Sequence, residues 1–438
     1  MKKVTRRATS ALLIAALLIV GLGIFVVRLS RDGYAWAVFR ADQSVYSNGV
    51  LNTGTVTDRN GVLLASAGGG IYRYADDASV RTACLHAVGD YPGNIGTGAI
   101  TAFSDLLSGY SFTEGTYDRD GSGGTVALSI DSQLCVTAYN ALAGRKGAVL
   151  VYNYENGEIL CMVSAPSYDP NYVPDLTAPA YEGAYINRAL SSVYVPGSVF
   201  KLVTMSAAIE NIDDLYTRSF YCGGSVQYGP DTVKCTGTHG SQTIEQALAN
   251  SCNCAFAELA LELGADTLAE YAEALGLTSS HSLNGIMTAA GSFDKAEDGT
   301  SLLAWSGIGQ YNDLVSPYAM MRLAGGIANG GTVAEPTLLK GTSNGSSELI
   351  DPSTAEKLAG MMEYNVLYSY GSWMFPGLDI CAKTGTAEVG DGTSHSWFVG
   401  FLEDDEHPYA FAVIAENAGG GLANAGAIAN TVLQAAVS

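Results

Sequence analysis

The sequence predicts an α/β fold in which strands from the start and the end of one large domain share a sheet. Three observations carry that prediction. Residues 147–165, GAVLVYNYENGEILCMVSA, hold two β-rich runs around Asn156-Gly157, a dipeptide that favours tight hairpins. Three more β-patterned runs, DICAKTGTAEVG, HSWFVGFLEDD and PYAFAVIAENA, come near the end of the chain. Helical and Gly-rich segments fill the interval, so the sheet joins the beginning and end of its domain.

The chain has 438 residues, enough for one large domain and a smaller one. A hydrophobic content of 47% supports a packed core. The formal charge is -21 with only 22 Lys and Arg, which argues against nucleic acid as a partner because phosphate binding needs a basic face.

The elements follow in order. Lys2, Lys3, Arg6 and Arg7 precede an uncharged run from Ala11 to Val27. That run is near the lower limit for a bilayer span. It predicts a single transmembrane anchor over residues 11–28, with residues 1–10 cytoplasmic and the rest extracytoplasmic. Ala35-Trp36-Ala37 resembles a signal-peptide cleavage site, but Arg28, Arg31 and Asp32 separate it from the apolar run, so a retained anchor is the expectation. Residues 29–145 form a small β-rich domain on this reading. GTVTDRNGVLLASAGG, residues 54–69, reads as strand, turn, strand, and TYDRDGSGGTVALSID closes the region. Residues 146–438 form the large domain.

Within it, VPGSVFKLVTMSAAIENI is apolar on nearly every side after Ser198, the pattern of a buried helix, and Pro196-Gly197 places its start. Thr243 to Gly264 reads as one helix, with Thr243 and Gln246 as a capping box. Gly426 to Ala436 reads as a closing helix of small residues.

The eight cysteines match no zinc pattern. Cys222 and Cys235 flank a polar, Gly-rich stretch; a disulfide in an oxidising compartment and two free thiols are both open. Cys252-Asn253-Cys254 has no second ligand pair near it in sequence, which favours a buried apolar role for the thiols over metal. No metal or cofactor is expected.

Chemistry is concentrated in three short motifs: Ser198-Val199-Phe200-Lys201, Ser251-Cys252-Asn253, and Lys383-Thr384-Gly385-Thr386. Residues i and i+3 of a helix share a face, so the Ser198 hydroxyl and Lys201 amine can meet. A serine needs a base to become a nucleophile, and a lysine is a base only when neutral. Burial beside a second cation, Lys383, favours that state. Ser251 supplies a hydroxyl able to relay a proton to a leaving amine. Asn253 supplies an amide that can grip a peptide backbone. Lys383, Thr384 and Thr386 can hold a carboxylate on a strand able to pair with an extended peptide. Gly385 permits close approach, and the backbone amides of Ser198 and Thr386 are candidate oxyanion donors.

A lone SxxK occurs roughly once by chance in a chain of this size. Ser292-Phe293-Asp294-Lys295 is such a second match, and Ser282-Leu283-Asn284 is a second SxN. Asp294 and Glu297 beside Lys295 predict a solvated, charged amine, so both are set aside. His239 is expected to be structural. His395, Trp397 and Phe398 could line the cleft, with packing the stronger expectation for the two aromatics. Glu388 could border the site, with a solvated loop acid the stronger expectation.

These motifs resemble those of the penicillin-binding proteins and serine β-lactamases. PGSVFK, PSYDPN, HGSQTIEQALANSCNCAFAELALELG, GIGQ, AKTGTAE and HSWFVGF are similar to class B penicillin-binding proteins, and GTVTDRNG to their RGxIxDRNG box, with Thr53 where Arg is usual. The resemblance implies a five-stranded antiparallel sheet flanked by helices plus an all-α lobe. It implies a serine D,D-transpeptidase in which Ser198 attacks the D-Ala-D-Ala carbonyl of a peptidoglycan stem peptide and β-lactams acylate the same serine. It also suggests a membrane glycosyltransferase as partner, since residues 29–145 are few for such a domain and carry no motif of one. A D,D-carboxypeptidase or β-lactamase with water as acceptor is the first rival, although no dedicated deacylation base is visible. A non-catalytic β-lactam sensor or scaffold is the second, and the intact motifs argue against it.

Overall fold

The first helix, α1, covers Lys2–Ala37 and extends beyond the expected span at both ends. Its segment Arg7–Arg31 has a mean hydropathy of 2.9 and is wholly uncovered by the rest of the chain. It is long and apolar enough to cross a membrane. The structure, a computed structural model, describes residues 2–37, 45–47, 50–110, 117, 123–390 and 392–438. Thr116 and residues 118–122 of the TYDRDGSGG stretch lie outside the described residues.

A four-stranded sheet follows: β1 (Thr55–Thr57), β2 (Leu63–Gly68), β3 (Ile71–Tyr74) and β4 (Thr125–Ala127), in the order β3-β2-β1-β4. The expected Asp-Arg-Asn-Gly turn joins β1 to β2. Asp58 Oδ1 accepts from the Asn60 and Val62 amides at 2.8 and 2.9 Å, and Gly61 takes a positive φ of 81°, a conformation that favours glycine. Asp58 Oδ2 accepts from Ser132 Oγ at 2.7 Å, at the start of α2 (Ser132–Leu142). A two-pronged Arg81–Asp169 pair, 2.7 Å on each prong, fastens this region to the PSYDPN segment.

The expected hairpin forms β5 (Gly147–Asn153) and β6 (Ile159–Ala165). A 3-10 turn over Gly197–Phe200 runs into α3 (Lys201–Asn211), whose residues Lys201 to Ala208 are all buried. An arm of short strands comes next: β7 (Phe220–Cys222), β8 (Ser225–Tyr228), β9 (Asp231–Lys234) and β10 (Gly240–Gln242), with β8 paired to β9 and β7 to β10.

Where one helix was expected over Thr243–Gly264 there are two, α4 (Ile244–Ala249) and the first part of α5 (Asn253–Ala274), which kinks at Gly264, the expected end, where φ is 80°. The capping box at Thr243 and Gln246 is present. The helix breaks because Ser251 is left-handed, with φ 49°, a conformation costly for a residue with a Cβ. Tertiary contacts described below hold it there.

Helix α6 (Pro317–Ala328), strands β11 (Ile380–Val389), β12 (Thr393–Leu402) and β13 (Tyr409–Ala415), and helix α7 (Ala427–Ala436) complete the frame. The large sheet has the order β11-β12-β13-β5-β6 and is antiparallel throughout. Strands from both ends of the domain therefore meet at β13 and β5, as the sequence predicts. Helix α6 packs on one face, where Gly325 leaves room for the Tyr152 ring; α2 and α7 cover the other. Trp397 and Phe398 are fully buried in the core.

Candidate active site

The cleft is built on the edge strand β11, the turn before α3, and the break between α4 and α5. Its volume is about 570 Å³, and Ser198, Ser251, Asn253, Thr384 and Thr386 all line it. In the 3-10 turn there are three residues per turn, so Ser198 and Lys201 eclipse one another. Ser198 is half-buried at the cleft and Lys201 is fully buried beneath it.

Lys201 Nζ donates to the Ser251 carbonyl at 2.6 Å, to Asn253 Oδ1 at 2.8 Å and to Ser251 Oγ at 3.2 Å. The left-handed backbone of Ser251 turns its carbonyl toward this buried amine, and the short contact holds the break in place. The expected direct Ser198–Lys201 hydrogen bond is not among the bonds of the described residues. The amine points instead to the second motif, at Ser251 and Asn253.

Lys383 is likewise fully buried. Its Nζ donates to Ser251 Oγ at 3.1 Å and to the Thr384 carbonyl at 2.9 Å. Ser251 Oγ thus lies within hydrogen-bond reach of both lysines. Burial pushes Lys201 down to about 7, since the interior disfavours its charged form. Lys383 is held well below the ordinary lysine range by burial first and by the neighbouring Lys201 second.

Ser198 and Thr386 approach each other through glycines. A Cβ on Gly197 would lie 2.7 Å from the Thr386 carbonyl, and one on Gly385 would lie 2.9 Å from the Pro196 carbonyl. The two segments could not sit this close with side chains at those positions. Tyr370, buried behind the strand, accepts from the Thr384 amide at 3.0 Å. Thr386 Oγ1 accepts from the Gly421 amide at 3.2 Å.

Several lining residues were not expected from sequence: Thr232, Lys234, Cys235 and Thr236 from the arm, and Trp305, Ile308 and Gln310. The GIGQ segment was the available signal for the last two. Glu388 lines the cleft from β11, a correction to the loop expectation. It is exposed because alternate residues of an edge strand face outward. His395 packs edge-on against Tyr194 and is not among the lining residues. The second SxxK is elsewhere, with Lys295 paired to Asp266 at 2.9 Å in solvent.

Cys252 and Cys254 are buried, as the sequence predicts. Cys252 does have ligand-type neighbours: its sulfur, those of Cys222 and Cys235, and a His239 ring nitrogen all lie within 4.8 Å of one another. The arm folds back onto the helix break, which sequence spacing does not show. All eight cysteines are free thiols. Cys222 Sγ lies 3.6 Å from Cys254, and Cys235 Sγ 3.9 Å from Cys252.

The penicillin binding protein transpeptidase domain model matches residues 147–434. The chain is 30% identical over 359 residues to the peptidoglycan D,D-transpeptidase PbpA of Mycobacterium tuberculosis, covering 73% of each protein. It is 27% identical over 310 residues to the stage V sporulation protein D of Bacillus subtilis, covering 64% of this chain and 47% of that one. Among solved structures, the penicillin G acyl-enzyme complex of penicillin-binding protein A from M. tuberculosis superposes with a TM-score of 0.76 at 26% identity, covering 88% of this chain and all of that one. The D,D-transpeptidase domain of a peptidoglycan glycosyltransferase from Eggerthella lenta gives 0.76 at 28% identity, over 88% of this chain and 98% of that one. The motif order, the five-stranded sheet and these likenesses agree: the chain belongs to the penicillin-binding protein transpeptidase family, as a class B member.

Proposed function

We propose that this chain is a peptidoglycan D,D-transpeptidase that acylates on Ser198. The observation that carries the reading is the position of Ser251 Oγ, 3.2 Å from one buried lysine amine and 3.1 Å from another. That arrangement makes a proton relay beside a half-buried serine.

The terminal carboxylate of a stem peptide binds at Lys383, Thr384 and Thr386. A carboxylate there favours the ammonium form of Lys383, and that charge in turn favours neutral Lys201. Neutral Lys201 takes the Ser198 proton as Oγ attacks the penultimate D-alanine carbonyl. The oxyanion forms against the amides of Ser198 and Thr386. The proton passes through Ser251 Oγ to the leaving D-alanine amine, and the acyl group transfers to an amine of a neighbouring stem. Asn253 holds the donor peptide's backbone, which runs as an added strand along β11, the open edge of the sheet. Gly385 leaves it room.

The helix at the N-terminus serves as a single-pass anchor, with its leading basic residues cytoplasmic and the folded part of the chain outside. A membrane glycosyltransferase supplies the strands to be linked. Fluorescent penicillin tests the nucleophile: it labels the wild-type chain covalently at Ser198, and Ser198→Ala abolishes labelling. Labelling that survives in the mutant would falsify the assignment. Slow release of the bound penicillin supports the transpeptidase, whereas rapid hydrolysis favours a β-lactamase.

A further inference from the structure

Cys222 ends β7, Cys235 follows β9, His239 precedes β10, and Cys252 lies between Ser251 and Asn253. These four are drawn from the arm and from the helix break, yet their ligand atoms share one small volume. A zinc ion bound to thiolates at about 2.3 Å in a tetrahedron separates its ligand atoms by about 3.8 Å. The Cys235–Cys252 sulfurs are 3.9 Å apart, and Cys235 Sγ is 3.6 Å from His239 Nδ1. Those match two edges of such a tetrahedron, the other pairs lie within 4.8 Å, and the Cys235–Cys252 separation is far beyond a sulfur–sulfur bond of about 2.05 Å. Cys222 and Cys252 are fully buried. The Asn253 amide donates to Cys235 Sγ at 3.2 Å, the kind of backbone hydrogen bond that orients a metal ligand.

We propose that Cys222, Cys235, His239 and Cys252 form a closed structural Zn2+ site that fastens the arm to the helix break carrying Ser251 and Asn253. Three thiolates and one imidazole fill four positions, which leaves none for substrate. The arm supplies Thr232, Lys234, Cys235 and Thr236 to the cleft wall, and Asn253 Nδ2 donates to the Lys234 carbonyl at 2.9 Å. The ion would hold that wall in place. Cys254 is a bystander on this assignment, near Cys222 but outside the mutual set.

The test uses the full chain, purified in detergent without chelator and with its thiols kept reduced. Elemental analysis should find one zinc per chain. Exchange with Co2+ should give thiolate-to-cobalt charge-transfer bands and the d–d bands of a tetrahedral ion. Cys235→Ser should lose the metal, and Cys254→Ser should keep it. Stripping the wild type with a chelator should lower its melting midpoint, and adding Zn2+ should restore it. The Co2+ spectrum requires no variant to fold. A reduced chain that binds neither ion overturns the proposal. So does an intact mass and peptide map showing Cys222–Cys254 and Cys235–Cys252 disulfides in chain isolated without reductant. Equal metal loss from a folded Cys254→Ser variant would overturn the ligand assignment.

Discussion

Two stretches of this chain read Ser-x-x-Lys, and they differ in almost every physical respect. Lys201 is fully buried and pushed down to about 7, with its nearest acceptors on Ser251 and Asn253. Lys295 is largely exposed, and its partner Asp266 raises it above the ordinary lysine value. The first amine can be a base near neutral pH, whereas the second stays an ammonium. Reactivity therefore belongs to the burial and neighbours of the motif, and the four letters alone confer none of it.

The sharpest way to break this comparison is to remove each lysine. Lys201→Met should slow acylation by fluorescent penicillin by roughly 10²–10⁴-fold, while Lys295→Met leaves the rate unchanged. Equal losses would mean that burial is not what distinguishes the sites. Next in size, Ser251→Ala should cost on the order of 10²-fold, since it removes the hydroxyl shared by both lysines. A pH profile then refines the picture. Lys201 is neutral above about 7 and protonated below it, so the acylation rate should climb with pH through about 7. A profile flat from pH 5.5 to 8.5 would contradict this. The smallest effect is expected at Thr243→Ala, which deletes the cap of α4. It should lower stability by about 1 kcal/mol, read from denaturant unfolding, with acylation unaltered because the lysine environments stay intact.

Legibility in the sequence varied with the range of the forces involved. The Asn-Gly hairpin, the Asp-Arg-Asn-Gly turn and the Thr243 capping box depend on residues a few positions apart, and all three appear as expected. The three motifs were also readable, because each residue type is dictated by its chemistry. The break at Ser251 was not readable. Local propensity favours a continuous helix there, and a buried amine from another element overrides it. The grouping of Cys222, Cys235, His239 and Cys252 was hidden for the same reason, since the fold of the arm brings them together. The strand position of Glu388 was not readable, because the end of a long edge strand resembles a loop in composition.

The pairing of β5 with β13 has a temporal side. Synthesis runs from the N-terminus, so β5 and β6 are complete before the neighbour that must cover β5 has been made. At ~5–20 residues per second, the wait is on the order of 10 to 50 seconds. During that interval an apolar hairpin has one unsatisfied flank, a template for pairing with a sister chain. Overexpression should therefore favour aggregates seeded by this hairpin.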